Sequence, residues 1–176
     1  MWPIRNLTHI DFLGEFPADS EAFTDILSNG HQLESLSLKC VLRCMGSSQF
    51  RAMPSSVPFL RHFAFTVLFV SRGDGYLFPA IAEFLRGRKY LRTLWLMVPR
   101  QFQGLLGFDA SVWGVLPSLT NLKGLALTFP VDLSPGLASW LIPRGVLTLT
   151  LNCGSTSPCE SFLNVRVLVQ ISATAN

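Results

Sequence analysis

One frame recurs along this 176-residue chain and constrains its fold more than any other feature: apolar, two residues, apolar, one residue, apolar. It reads LTHIDF at 7–12, LESLSL at 33–38, LRHFAF at 60–65, LRTLWL at 91–96, LKGLAL at 122–127 and VLTLTL at 146–151. The last apolar positions are 12, 38, 65, 96, 127 and 151, so successive frames are 26, 27, 31, 31 and 24 residues apart. One such hexamer carries little information, but six at nearly regular spacing identify a repeat architecture. Each hexamer ends in strict alternation, the pattern of a strand with one buried face. The segment 166–171 (RVLVQI) reads as a final, irregular strand.

Helix signals fill the intervals. Segment 19–27 has acidic residues in its first turn and Asn29-Gly30 past its end. Segment 76–85 is apolar at helical spacing, and the basic run 86–89 gives it Gly87 as a stop. Ser134-Pro135 and Ser157-Pro158 each place a capping hydroxyl before a proline, and Glu160 adds a capping box to the second. Segments 49–53 and 109–115 read as shorter helical turns. The expected fold is therefore α/β, with adjacent parallel strands in sequence order and helices on one side. Leu36, Leu38, Phe63, Phe65, Leu94, Leu96, Leu125, Leu127, Leu149 and Leu151 are its expected core. A doubly wound α/β domain also alternates strands and helices. It has no reason to repeat one frame six times, and neither GxGxxG nor GxxxxGK occurs here.

This frame resembles the leucine-rich repeat. The resemblance runs from Leu7 to Leu151, and the longer intervals, each with a helix, are similar to the ribonuclease-inhibitor-like class. It implies a solenoid with a parallel sheet on the concave face and helices on the convex face. The whole chain, 1–176, is then a single array of about six repeats plus the C-terminal strand. LESLSL at 33–38 and LASWL at 137–141, followed by LTLTL at 147–151, resemble degenerate arrays of fungal F-box-associated proteins. The family usually has Asn or Cys three residues after the frame. Here those positions hold Glu15, Val41, Leu68, Pro99, Pro130 and Gly154, so the turns must be held by other groups. No F-box-like segment is read ahead of the repeats, so adaptor-binding helices are expected outside the chain or not at all.

Residues between the frame positions are expected to line the concave face in rows. The second position gives Thr8, Glu34, Arg61, Arg92, Lys123 and Leu147; the third gives His9, Ser35, His62, Thr93, Gly124 and Thr148. The fifth gives Asp11, Ser37, Ala64, Trp95, Ala126 and Thr150, and the next row carries Met97. Arg61, Arg92 and Lys123 form a basic ridge through three repeats, with Trp95 beside it between two alanines. An aromatic side chain near arginines has the composition of an interface hot spot. The candidate partner-binding residues are Arg61, His62, Arg92, Trp95, Met97 and Lys123, and an acidic partner suits the ridge. The alternative is a solvated ridge with Trp95 packed against a loop.

Composition narrows the function classes. The chain has 14 Lys+Arg against 11 Asp+Glu, a net charge of +3, and 14% charged residues, where about 25% is usual. Mean hydropathy is +0.38. Such a chain is neither disordered nor built like a nucleic-acid binder. Its densest basic cluster, 86–92, has a structural reason at a helix end. No charged segment leading into an apolar run opens the chain, and the longest apolar stretch, 63–70, falls short of the ~18 residues of a membrane span. Cys40, Cys44, Cys153 and Cys159 form neither a disulfide framework nor a zinc spacing, and read as reduced, buried thiols. An intracellular location, with no membrane, is expected. The sequon at 6–8 and the Arg72-Gly73-Asp74 tripeptide are chance matches in that setting, the second read as a turn.

No catalytic constellation is visible. GxSxG is absent, and Asp74, Glu83 and Asp109 stand in different repeats. His9 and His62 share a row but stand about 10 Å apart, two strand spacings, with no third ligand. No enzyme activity, metal or cofactor is expected. The leading reading is a non-catalytic module that holds a protein or peptide on its concave face. The resemblance implies substrate recognition in an F-box-type ubiquitin ligase. Two alternatives stand beside it: an incomplete or degenerate array without its own ligand, and an enzyme on a doubly wound sheet. A missing N-terminal neighbour, or self-association through uncapped ends, is expected of such an array.

Overall fold

A computed structural model describes residues 7–16, 30–43, 46–52, 57–130, 132–133, 137, 140–152 and 166–169. The frames become strands of one sheet: β1 (His9–Phe16), β2 (Ser35–Leu42), β3 (His62–Val70), β4 (Thr93–Met97), β5 (Gly124–Thr128) and β6 (Thr148–Asn152). These six are parallel and follow one another in sequence order, with no switch point. A seventh, β7 (Arg166–Val169), pairs antiparallel with β6 and occupies the segment read as an irregular strand. The fold is thus α/β with a six-stranded parallel run.

Register follows the frame. Ile10, Leu36, Phe63, Leu94, Leu125 and Leu149 form one cross-strand row, and Phe12, Leu38, Phe65, Leu96, Leu127 and Leu151 form the next. A slip of one residue would turn every one of these side chains to the opposite face. Of the ten expected core residues nine are buried, and Leu151 is partly buried. At the β1 edge, Ile10 and Phe12 are only partly buried and Leu7 is exposed.

Helices α1 (Ser47–Ala52) and α2 (Leu77–Leu85) cover the frame side of the sheet. Phe50 of α1 meets Phe63 and Phe65 edge-on, with ring centroids 6.4 and 5.7 Å apart. Phe84 and Phe78 of α2 meet Phe63 and Phe65 at 5.5 and 5.8 Å. Such tilted and edge-on pairs add to the area burial of each ring. Further along, α3 (Gln103–Leu106) and α4 (Ala110–Trp113) complete the layer, and Asp109 caps α4 by accepting from the Ser111 N–H. Gly87, at φ +81°, stops the chain just past α2 as its sequence predicts. The helices expected at 19–27 and from 157 lie outside the described residues, as does the Ser134-Pro135 start of the helix expected to end before Pro143, within which Leu137, Trp140 and Leu141 are helical. The turns over 100–106 are not foreseen by the sequence reading.

Strand length departs from the frame. β1, β2 and β3 run four to five residues past the hexamer, burying Cys40, Leu42, Val67 and Val70. The alternation simply continues there, whereas Pro99 and Pro130 follow β4 and β5 and cannot donate to a ladder. Leu68 is the extra residue of a bulge between the pairs Cys40–Val67 and Val41–Phe69. Cys40 is fully buried, and desolvation pushes its thiol up to about 12. Cys44, Cys153 and Cys159 lie outside the described residues.

Buried polar groups tie neighbouring units of the sheet together. Asp74, 3% exposed, accepts from the Ser47 N–H at 2.8 Å and the Tyr76 N–H at 3.2 Å, tying two repeats together. That role accounts for the Arg72-Gly73-Asp74 turn. Thr128 accepts from the Val98 N–H at 2.9 Å. Arg88, within the basic cluster for which the sequence suggests a structural reason at a helix end, is 5% exposed. It donates from Nε to the Phe84 carbonyl and from Nη1 to the Val57 carbonyl, at 3.0 and 2.8 Å. Burial lowers the pKa of its guanidinium. Gly107 has φ +66°, and a Cβ there would stand 2.1 Å from the Gly75 carbonyl oxygen, so only glycine fits.

Candidate partner-binding face

Backbone hydrogen bonds carry the second frame row from strand to strand. The Arg61 N–H donates to the Glu34 carbonyl at 2.8 Å, Arg92 to Arg61 at 2.7 Å, and Lys123 to Arg92 at 2.8 Å. Arg61, Arg92 and Lys123 therefore stand at the N-terminal ends of three neighbouring strands. His62, Thr93 and Gly124 form the next row, and Ala64, Trp95 and Ala126 the one after. Alternation with the buried frame residues turns His62, Trp95 and Met97 to the side away from α1 and α2, while Arg61, Arg92 and Lys123 stand just before the strands, at the N-terminal rim of the sheet. Arg61, His62, Arg92, Trp95 and Lys123 are exposed, and Met97 is half-buried.

Trp95 is 53% exposed, a large value for an indole in the middle strand of a sheet. It borders an open depression of about 240 Å³ that Ser35, Ser37, His62, Ala64 and Thr93 also line. The sequence placed room on both sides of Trp95. Ala126 is 3% exposed, so the room is on the Ala64 side alone. The His62 ring and the Thr93 hydroxyl share a hydrogen bond of 2.6 Å, which holds the imidazole along the rim of the depression. Met97 is held by β5, because the Thr128 hydroxyl donates to its sulfur at 3.9 Å.

The ridge is not three equal cations. Arg61 Nε lies 3.7 Å from Glu34 Oε2, within its own row. Arg92 and Lys123 make no ion pair among the described residues. Lys123 leans toward the next repeat, its Nζ 3.7 Å from where a Cβ on Gly145 would sit. From β3 to β6 no Asp or Glu occurs in the strands or the ridge, whereas Asp11, Glu15 and Glu34 lie at the β1–β2 end. Glu15 is paired with Arg43 at 2.6 Å and Lys39 is exposed in β2, so the carboxylates of the β1–β2 end are largely offset, whereas Arg92 and Lys123 have no ion pair among the described residues.

Two aromatic residues were missed by the sequence reading. Phe59 and Tyr90 each stand two residues before a ridge arginine, 52% and 57% exposed. Their rings pair at 6.1 Å along the N-terminal rim of the sheet. The signal was present, since both immediately precede the first frame leucine, a position that the row analysis did not cover. Among the described residues no group of three His, Cys, Asp or Glu is placed to hold a metal ion, and no helix is long and apolar enough to cross a membrane. Comparison with family models, curated proteins and solved structures gives no match for the chain.

Proposed function

We propose that the chain is a leucine-rich-repeat solenoid acting as a non-catalytic protein-binding module, with the exposed sheet face as its concave binding surface. One observation carries this reading: Trp95 stands half exposed on a sheet face that no described helix covers, in the same part of the sheet as Arg92 and Lys123, which make no ion pair among the described residues. An enzyme on a doubly wound sheet needs a switch point in strand order, where ligands enter, and sequential order provides none. Exposed aromatic and cationic side chains at the centre of a face are what interfaces concentrate. The role implied by the F-box resemblance, substrate recognition for a ubiquitin ligase, rests on that likeness and on the same face.

Affinity capture from cell lysate tests the reading. Three proteins are compared: wild type, Trp95→Ala and Arg92→Glu. Glu83→Gln, on the exposed side of α2, serves as the control. A set of captured proteins lost from both face variants and kept by the control is the expected result. Identical sets in all four samples would remove this face as the binding surface. Ubiquitin-ligase components among the lost proteins would support the narrower role, and their absence from every sample would count against it.

A further inference from the structure

Resting on that reading, the geometry points to the chemistry of the partner: an acidic peptide segment whose carboxylate meets Arg92, with apolar side chains on both sides of it. The anion belongs there and not at Arg61, because Glu34 already offsets the Arg61 charge. Arg92 and Lys123 stand on neighbouring strands, about 4.8 Å apart along the row. Lys123 Nζ leans away toward Gly145, so the anion meets Arg92, which has no ion pair among the described residues and no acidic neighbour in β3–β6.

Apolar contacts are placed on both flanks of that anion position. Trp95 lies three residues into β4 from Arg92, on the depression side. Tyr90 and Phe59 lie two residues before Arg92 and Arg61, on the rim side. An extended segment crossing from rim to sheet meets the aromatic pair, then the cations, then Trp95. Long-range attraction of this kind is weakened by salt.

Panning the purified full chain against a random dodecapeptide display library tests the proposal. Enriched peptides should carry Asp or Glu flanked by aromatic or aliphatic residues. A synthetic enriched peptide should bind Arg92→Glu and Trp95→Ala about tenfold or more weakly, because each removes a central contact. Glu34→Gln, which frees Arg61, should bind it more tightly, and raised salt should weaken binding to wild type. Neutral or basic peptides that lose binding on Trp95→Ala would overturn the acidic partner while leaving the face as a binding surface. Peptides held equally by wild type, Trp95→Ala and Arg92→Glu, or no enrichment at all, would overturn both. Tighter binding of an oligothymidine than of any enriched peptide would also overturn the proposal, in favour of nucleic acid.

Discussion

Replacing Leu94 by Ala should destabilise the protein by about 2–5 kcal/mol, the range for truncating a fully buried aliphatic side chain that leaves a cavity. Leu94 is 0% exposed, in the fourth strand, between Phe63 and Leu125 in its row. Strands on both sides fix the backbone, so the site has little freedom to collapse. In a repeat array each unit contacts mainly its neighbours, so a cavity in a middle unit weakens two interfaces. Urea unfolding followed by circular dichroism measures the change. An unfolding midpoint equal to that of wild type would contradict the assignment of the frame to the core.

Arg88→Ala should cost about 3 kcal/mol or more, since hydrogen bonds to charged groups are worth roughly 1.5–3 kcal/mol each and the lost donors leave buried carbonyls unpaired. Its guanidinium links α2 to the turn before β3, through the Phe84 and Val57 carbonyls, and lies 4.4 Å from the centre of the Phe84 ring. Arg88→Lys should recover only part of the loss, because an ammonium cannot present the two fixed donor directions of the fork. Arg86→Ala, at a residue whose ion pair with Glu83 is exposed on both sides, is the contrasting variant. Exposed pairs contribute little. Equal melting behaviour for Arg88→Ala and Arg86→Ala would show that Arg88 is a surface residue.

What the sequence made legible follows from period. Strand pairing depends on which residues alternate, and six copies of one alternation fix strand order, register and the buried rows together. The rows of the exposed face follow for the same reason, so the frame alone places Arg61, Arg92, Trp95 and Lys123 on neighbouring units across a span of 63 residues. Pairings within the rows were not legible. That Glu34 takes Arg61, that Ala126 is closed while Ala64 is open, and that Arg88 turns inward depend on side-chain rotamers, which no periodicity encodes. Asp74 and Thr128 accept backbone N–H groups of neighbouring units, ties that the alternation of the frame does not reveal. Phe59 and Tyr90 were overlooked because they lie outside the alternating part of the frame.

The central claim is that the sheet face opposite the helices is open. Hydroxyl-radical footprinting of the intact chain, read by mass spectrometry at individual tryptophans, tests it most directly. Trp95 and Trp140 are 53% and 85% exposed, while Trp113, packed against Phe129 at 5.5 Å, is 1% exposed. Trp95 should be oxidised at a rate close to that of Trp140 and many times that of Trp113. Protection of Trp95 to the level of Trp113 would mean that the face is covered, and the account of it as a binding surface would fail.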